Sequence, residues 1–184
     1  MILLDKVLEN AKLKYPAGLS EDKVFEFYCA DNLLINYDLD YAEIENGIID
    51  GPRDAGIDAA YIFVDKQLLT DDFNFSAVRQ PVEVELYLIQ AKNQDSFKEG
   101  AVDKLAASLP LLLDYGKQPQ DLEPLFKKEV VAVCRAFLDA FTRLADKFPK
   151  VTIRLFYCSK ALEPNQTIRA KSEALEGTSL TLLS

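Results

Sequence analysis

The sequence predicts an α/β domain in which helices cover both faces of a mixed β-sheet. Three observations predict it. Two β-rich runs, residues 57–65 ("IDAAYIFVD") and 82–92 ("VEVELYLIQAK"), are separated only by a polar loop, so they pair as antiparallel neighbours. A third apolar run, 151–158 ("VTIRLFYC"), lies beyond two segments of helical periodicity. In the second half helices alternate with strands, the arrangement of a sheet sandwiched between helical layers.

The elements follow in order. Leu3, Leu4, Val7, Leu8 and Ala11 form a helical stripe over residues 2–14, which "PAG" at 16–18 ends. Ser20 caps a second helix running to about residue 35, with Glu21 and Asp22 in the first turn, where carboxylates complement the helix dipole. Residues 36–56 are acidic and contain glycine; Asp40 followed by Glu43 caps a short helix there. After the strand at 57–65, residues 66–80 read as a polar loop. Ser96 to Glu99 has the spacing of a capping box, and Val102, Leu105, Ala106, Leu109, Leu112 and Leu113 follow at helical intervals. A long helix is expected over 123–147, with Val130, Val133, Cys134, Phe137, Phe141 and Leu144 on one side. A helix at 165–176 with Gly177 as its C-cap follows the third strand, and "TSLTLLS" reads as the start of a further strand. Residues 1–184 form a single domain, and a strand beginning so near the end suggests the N-terminal part of a longer protein.

Composition narrows the chemistry. The chain has no histidine, which removes imidazole acid–base catalysis, Ser-His and Cys-His nucleophiles and histidine metal ligands. Its three cysteines, Cys29, Cys134 and Cys158, are odd in number and widely spaced, so they support neither a disulfide framework nor a zinc site; buried thiols in a reducing cytoplasm are the expectation. There is no apolar run long enough to span a bilayer and no signal-peptide pattern at the start, so no membrane association is expected and the predicted location is cytoplasmic. The net charge of −9, from 30 acids and 21 bases, argues against a whole-surface nucleic-acid binder and leaves room for local basic patches.

The two paired strands carry the candidate site. Side chains alternate along a strand, so Asp58, Ala60, Ile62 and Val64 share one face, as do Val84, Leu86, Leu88, Gln90 and Lys92. Each face is apolar along its length and polar at one end. The polar ends are the start of the first strand and the finish of the second, which are neighbours in an antiparallel pair. Asp58, Gln90 and Lys92 therefore meet at one end of the sheet. On the second helix, Glu26 falls beside Cys29, Ala30 and Leu33 and faces inward, where a carboxylate needs a partner. Phosphodiester cleavage without histidine calls for a hard cation that polarises the phosphate and generates hydroxide. Mg²⁺, or Mn²⁺ in its place, takes oxygen ligands and keeps several waters. Glu26 and Asp58 supply charge for it, Gln90 and the Ala91 carbonyl neutral oxygens, and Lys92 stabilises the phosphorane charge. Asp54, on the approach to the strand, is a substitute ligand or a turn cap.

An acid, a hairpin and then Gln-x-Lys, preceded by a glutamate on a helix, resembles the PD-(D/E)xK nuclease superfamily, and in particular the Mrr-type restriction endonucleases, which also carry Gln in the second motif. "DGPRDAGIDAAYI" followed by "YLIQAKNQ" is similar to the N-terminal region of the abortive phage infection (AIPR) proteins. The resemblance covers about residues 20–115 well and the rest by element order alone. It implies a restriction-endonuclease-like fold, divalent-metal dependence, a nucleic-acid substrate, DNA foremost, and a role in phage defence. The sequence departs from the pattern in one place: residues 36–50 offer no clear candidate for the strand that in the family precedes the acid-bearing one. A catalytically inactive member acting as a protein-interaction or sensing module is the alternative, and the negative charge favours it. If the domain is active, basic surface is expected from a C-terminal region or from a second copy in a homodimer.

Overall fold

The computed structural model of the chain describes residues 2–49 and 51–182, with side chains described for 3–49 and 51–176. A four-stranded sheet in the order β2-β1-β3-β4 forms its centre. β1 (Ala59–Val64) pairs antiparallel with β3 (Glu83–Lys92), and β3 pairs in parallel with β4 (Lys150–Ser159). The sheet is thus mixed, as expected. β2 is only Gln67–Leu68, folded back on β1 inside the segment expected to be a loop. Asp65 and Lys66 turn that hairpin with φ of 48° and 68°. This is the primed-turn geometry that two-residue hairpins favour, built here without glycine, which is why the usual hairpin signal is missing.

Strand alternation divides the core into two layers. Ala60, Ile62, Val64, Val84, Leu86 and Leu88 point to one face, packing with Val102, Leu105 and Leu109 of α4 (Glu99–Leu112) and Val130, Cys134 and Phe137 of α6 (Lys128–Arg143). Tyr61, Phe63, Tyr87 and Ile89 point to the other, against Phe27, Ala30 and Leu34 from α2 (Glu21–Leu33) and its end and Ile44 of α3 (Tyr41–Gly47). Both faces are covered by helices, and each fully buried Phe or Leu contributes about 1.5–3 kcal/mol. α1 (Ile2–Lys12) packs on α2 and buries Ala11, but Leu3 and Val7 of its predicted stripe are exposed.

The predicted caps of α2 and α3 are present. Ser20 accepts a hydrogen bond from the Lys23 N–H, and Asp40 and Glu43 form a reciprocal capping box. Other boundaries differ from the sequence reading. Lys98, not Ser96, is the N-cap of α4, and it makes no side-chain cap; its N–H instead donates to the Tyr157 hydroxyl at 2.8 Å. Residues 123–127 lie outside α6, and the short helix α5 (Pro119–Leu122) precedes them. α7 (Gln166–Leu182) runs through Gly177 and through residues 178–182, where a strand was expected; residues 183 and 184 lie outside the described residues. An isolated leucine-rich pattern suits either element, and a single glycine is tolerated inside a helix, so Gly177 does not end it. In the 36–50 segment, a single antiparallel bridge from Ile48 to Ala59 stands where the resemblance implies a full strand.

Candidate functional site

The β1–β3 register assembles the site. Ala59 lies opposite Ile89, so one further step places Asp58 opposite Gln90. Beyond Ala59 the ladder changes character. The Asp58 N–H still donates to the Ile89 carbonyl at 2.8 Å, but the Ala91 N–H is met by the Asp58 side chain, Oδ2, at 2.8 Å. A carboxylate thus takes the place of a backbone acceptor and is fixed against the end of β3. The Lys92 ammonium donates to the same carboxylate, at 3.1 Å from Oδ1 and 3.0 Å from Oδ2. Asp58 is 6% exposed overall, whereas 36% of the Lys92 side chain is exposed. The acid is buried and held from two sides; its cation opens to solvent. The predicted meeting of Asp58 and Lys92 on one side of the sheet end is present.

Gln90 is also 6% exposed. Its amide nitrogen lies 3.4 Å from where a side chain on Gly56 would begin. Gly56 has φ +81°, which an L side chain rarely adopts, so glycine meets both demands at this point of the loop. The preceding residues are also left-handed: Arg53 at φ 66° and Ala55 at φ 58°. Such backbone costs about 1–3 kcal/mol per residue unless the surroundings enforce it. Here Ala55 is 1% exposed and the Ile57 N–H donates to the Asp54 carbonyl.

The loop presents Asp54, a residue the sequence left between two roles. Its Oδ1 accepts from the Gly56 N–H at 2.8 Å and from the Lys104 ammonium of α4 at 2.5 Å. Burial pushes this carboxyl up, but the Lys104 hydrogen bond, the Gly56 N–H and the charges of Lys104 and Lys92 outweigh burial and hold it below the ordinary carboxylate value. Asp54 is thus a turn cap paired with Lys104. Lys104 went unrecognised because it is distant in sequence and follows no motif; the register of α4 against the 51–56 loop is what brings it in.

Glu26 of α2 is partly buried, as the helical wheel predicts, and pairs with Lys23 at 2.5 Å. Cys29 packs with Ala91, and the charges of Glu26 and Asp58 both push its thiol up. Cys29 faces Cys158 of β4: the thiol–thiol hydrogen bond and burial raise Cys29, and the same bond lowers Cys158. All three cysteines are free thiols, with Cys29 and Cys134 buried. Phe25 and Phe27 are core residues.

The ligand oxygens that the sheet end offers are those of the Asp58 carboxylate, the Gln90 amide and the Ala91 carbonyl, the donor type a hard cation takes. Among the described residues no three acidic, cysteine or histidine side chains come together as a metal cluster. A cation at this sheet end would rest on no more than two carboxylates, with neutral oxygens and water, which suits Mg²⁺ better than zinc.

No family model matches the chain, and neither a curated protein nor a solved structure is significantly similar to it. No helix among the described residues is long and apolar enough to cross a membrane.

Proposed function

We propose that the domain is a metal-dependent endonuclease that hydrolyses nucleic-acid phosphodiester bonds, on a restriction-endonuclease-like fold of the PD-(D/E)xK type, in a phage-defence role. The observation that carries this reading is the Asp58–Lys92 pair at the open end of the sheet, with the buried Gln90 amide beside it.

Asp58 and Glu26, with the Gln90 amide oxygen and the Ala91 carbonyl, would hold Mg²⁺ or Mn²⁺. The ion, when bound, supplies Lewis acidity at the phosphate and a nucleophilic hydroxide near neutral pH. Lys92 contributes positive charge where the phosphorane oxygens gain negative charge, a contribution on the order of 10²–10³ in rate. Asp58 anchors that ammonium while the site is at rest. The Ala91 N–H fixes the carboxylate so that its orientation does not depend on Lys92.

A second reading, an inactive nuclease-like module that binds a protein partner, is favoured by one observation: both candidate acids are already paired with lysines, Asp58 with Lys92 and Glu26 with Lys23. The net charge of −9 points the same way. Incubating the protein with DNA and RNA substrates in Mg²⁺ or Mn²⁺, alongside Asp58→Ala and Lys92→Ala, separates the two. The enzyme reading expects cleavage by the wild type and its loss in both variants. Equal behaviour of all three proteins leaves the module.

A further inference from the structure

We propose that Lys104 is a second phosphate-binding cation of this site, held at rest by Asp54 and transferred to the substrate backbone on binding. The inference rests on the nucleic-acid reading above and adds to it a residue that the Gln-x-Lys pattern does not contain.

Four observations support it. Lys104 and the Gln90 amide converge on one point: the Lys104 Cδ lies 3.6 Å, and the Gln90 amide nitrogen 3.4 Å, from the position of a Cβ on Gly56. The glycine lets loop, strand end and helix close around the same small volume. The Lys104 side chain is 49% exposed, so its ammonium faces solvent while its stem lies on the loop. Asp54, its partner, also feels the charge of Lys92, which pairs with Asp58. Finally, Asp54 is separately held by the Gly56 N–H, so it keeps its turn when the lysine leaves.

The charges explain the exchange. Two acids, Asp54 and Asp58, face two ammoniums, Lys92 and Lys104. Such a quartet is neutral at rest, which suits an acidic protein with no substrate bound. Half-exposed ion pairs are weak because water solvates the separated ions nearly as well. A phosphodiester offers the ammonium an equivalent anion and releases condensed counterions as it binds, a gain the resting pair lacks.

The test is the salt dependence of DNA binding, without divalent cation, using a labelled duplex and a labelled single strand. Wild type, Lys104→Met, Lys104→Arg and Asp54→Asn are compared as full chains, with thermal melting as a folding control. Lys104→Met is expected to lower the slope of log affinity against log salt by about 0.7–0.9, the loss of one phosphate contact, and to weaken binding by about threefold to tenfold at low salt. Lys104→Arg restores the slope. Asp54→Asn keeps an oxygen for the Gly56 N–H but frees the lysine, and tightens binding about threefold. Opposite effects from the two halves of one ion pair are not what a structural role produces. If the wild type binds and Lys104→Met matches it in slope and affinity, or Asp54→Asn binds more weakly, the assignment of Lys104 is overturned while the nuclease reading stands. If the wild type binds neither strand form, both fall.

Discussion

The sheet holds two buried carboxylates, each paired with a cation, and they are built differently. Glu85, in the middle of β3, is closed in. Its Oε2 accepts from the Tyr37 hydroxyl at 2.9 Å, its Oε1 from Arg154 Nε at 2.8 Å, and Arg154 lies over the Tyr87 ring. Tyr37 in turn stacks on Phe63 and hydrogen-bonds Tyr87. Asp58, at the end of the same strand pair, has one fixed donor, the Ala91 N–H, and one lysine partly in water. Arginine holds two fixed bonds and stacks, whereas lysine is a rotatable point charge. The comparison teaches that burying a carboxylate does not by itself mark a site; what marks it is a partner that can leave. Glu85 is where the sheet is locked to its helical layer, and Asp58 is where it is open to exchange.

Four changes sharpen or break this contrast. The largest effect is expected at Gly47, which closes the Glu85 face. A Cβ there would lie 2.1 Å from a ring carbon of Tyr61, whose hydroxyl is held by the Ile44 carbonyl. Gly47→Ala should cost about 3 kcal/mol in denaturant unfolding by overpacking. Next, Glu85→Ala removes an acceptor shared by the Tyr37 hydroxyl and Arg154 and should cost about 1–3 kcal/mol. The same measurement on Lys92→Met should give a smaller loss, since the Ala91 N–H still holds the Asp58 carboxylate. Equal losses at the two pairs would erase the distinction.

The smallest effect is a pH dependence. The Asp54 carboxyl is lowered in the folded state, so its contribution to stability is fully present above its ordinary value of 3.8 and declines as pH falls through the lower folded value. Asp54→Asn should therefore lose stability relative to the wild type at neutral pH, with the gap narrowing below that range. Thermal melting across an acid series reads it, and a gap that is constant with pH would contradict the assigned ion pair.

How far the residues announced this arrangement depends on the range of the interaction. Strand alternation is a local rule, so "IDAAYIFVD" and "VEVELYLIQAK" were enough to place Asp58 beside Gln90 and Lys92 and to divide the core into two faces. Capping is local too, and Ser20 and Asp40 cap as read. Lys104 and Asp54 meet across 50 residues through helix-to-loop packing, which no spacing encodes. Ser96 had the capping pattern but lost to the Lys98 position, because the Tyr157 hydroxyl supplies an acceptor from a distant strand. The exposed stripe of α1 shows the converse: periodicity predicts a helix but not what covers it.

The central claim is that the Asp58–Lys92 end is a working site and not a structural pair. Its most direct measurement is cleavage of nucleic acid in Mg²⁺ or Mn²⁺ by the wild type and by Lys92→Met, with the unfolding free energy of each taken on the same samples. The account predicts a loss of activity of at least about a hundredfold with a smaller stability loss than Glu85→Ala shows. A Lys92→Met protein that cleaves as the wild type does, or that is destabilised as heavily as Glu85→Ala, would contradict it.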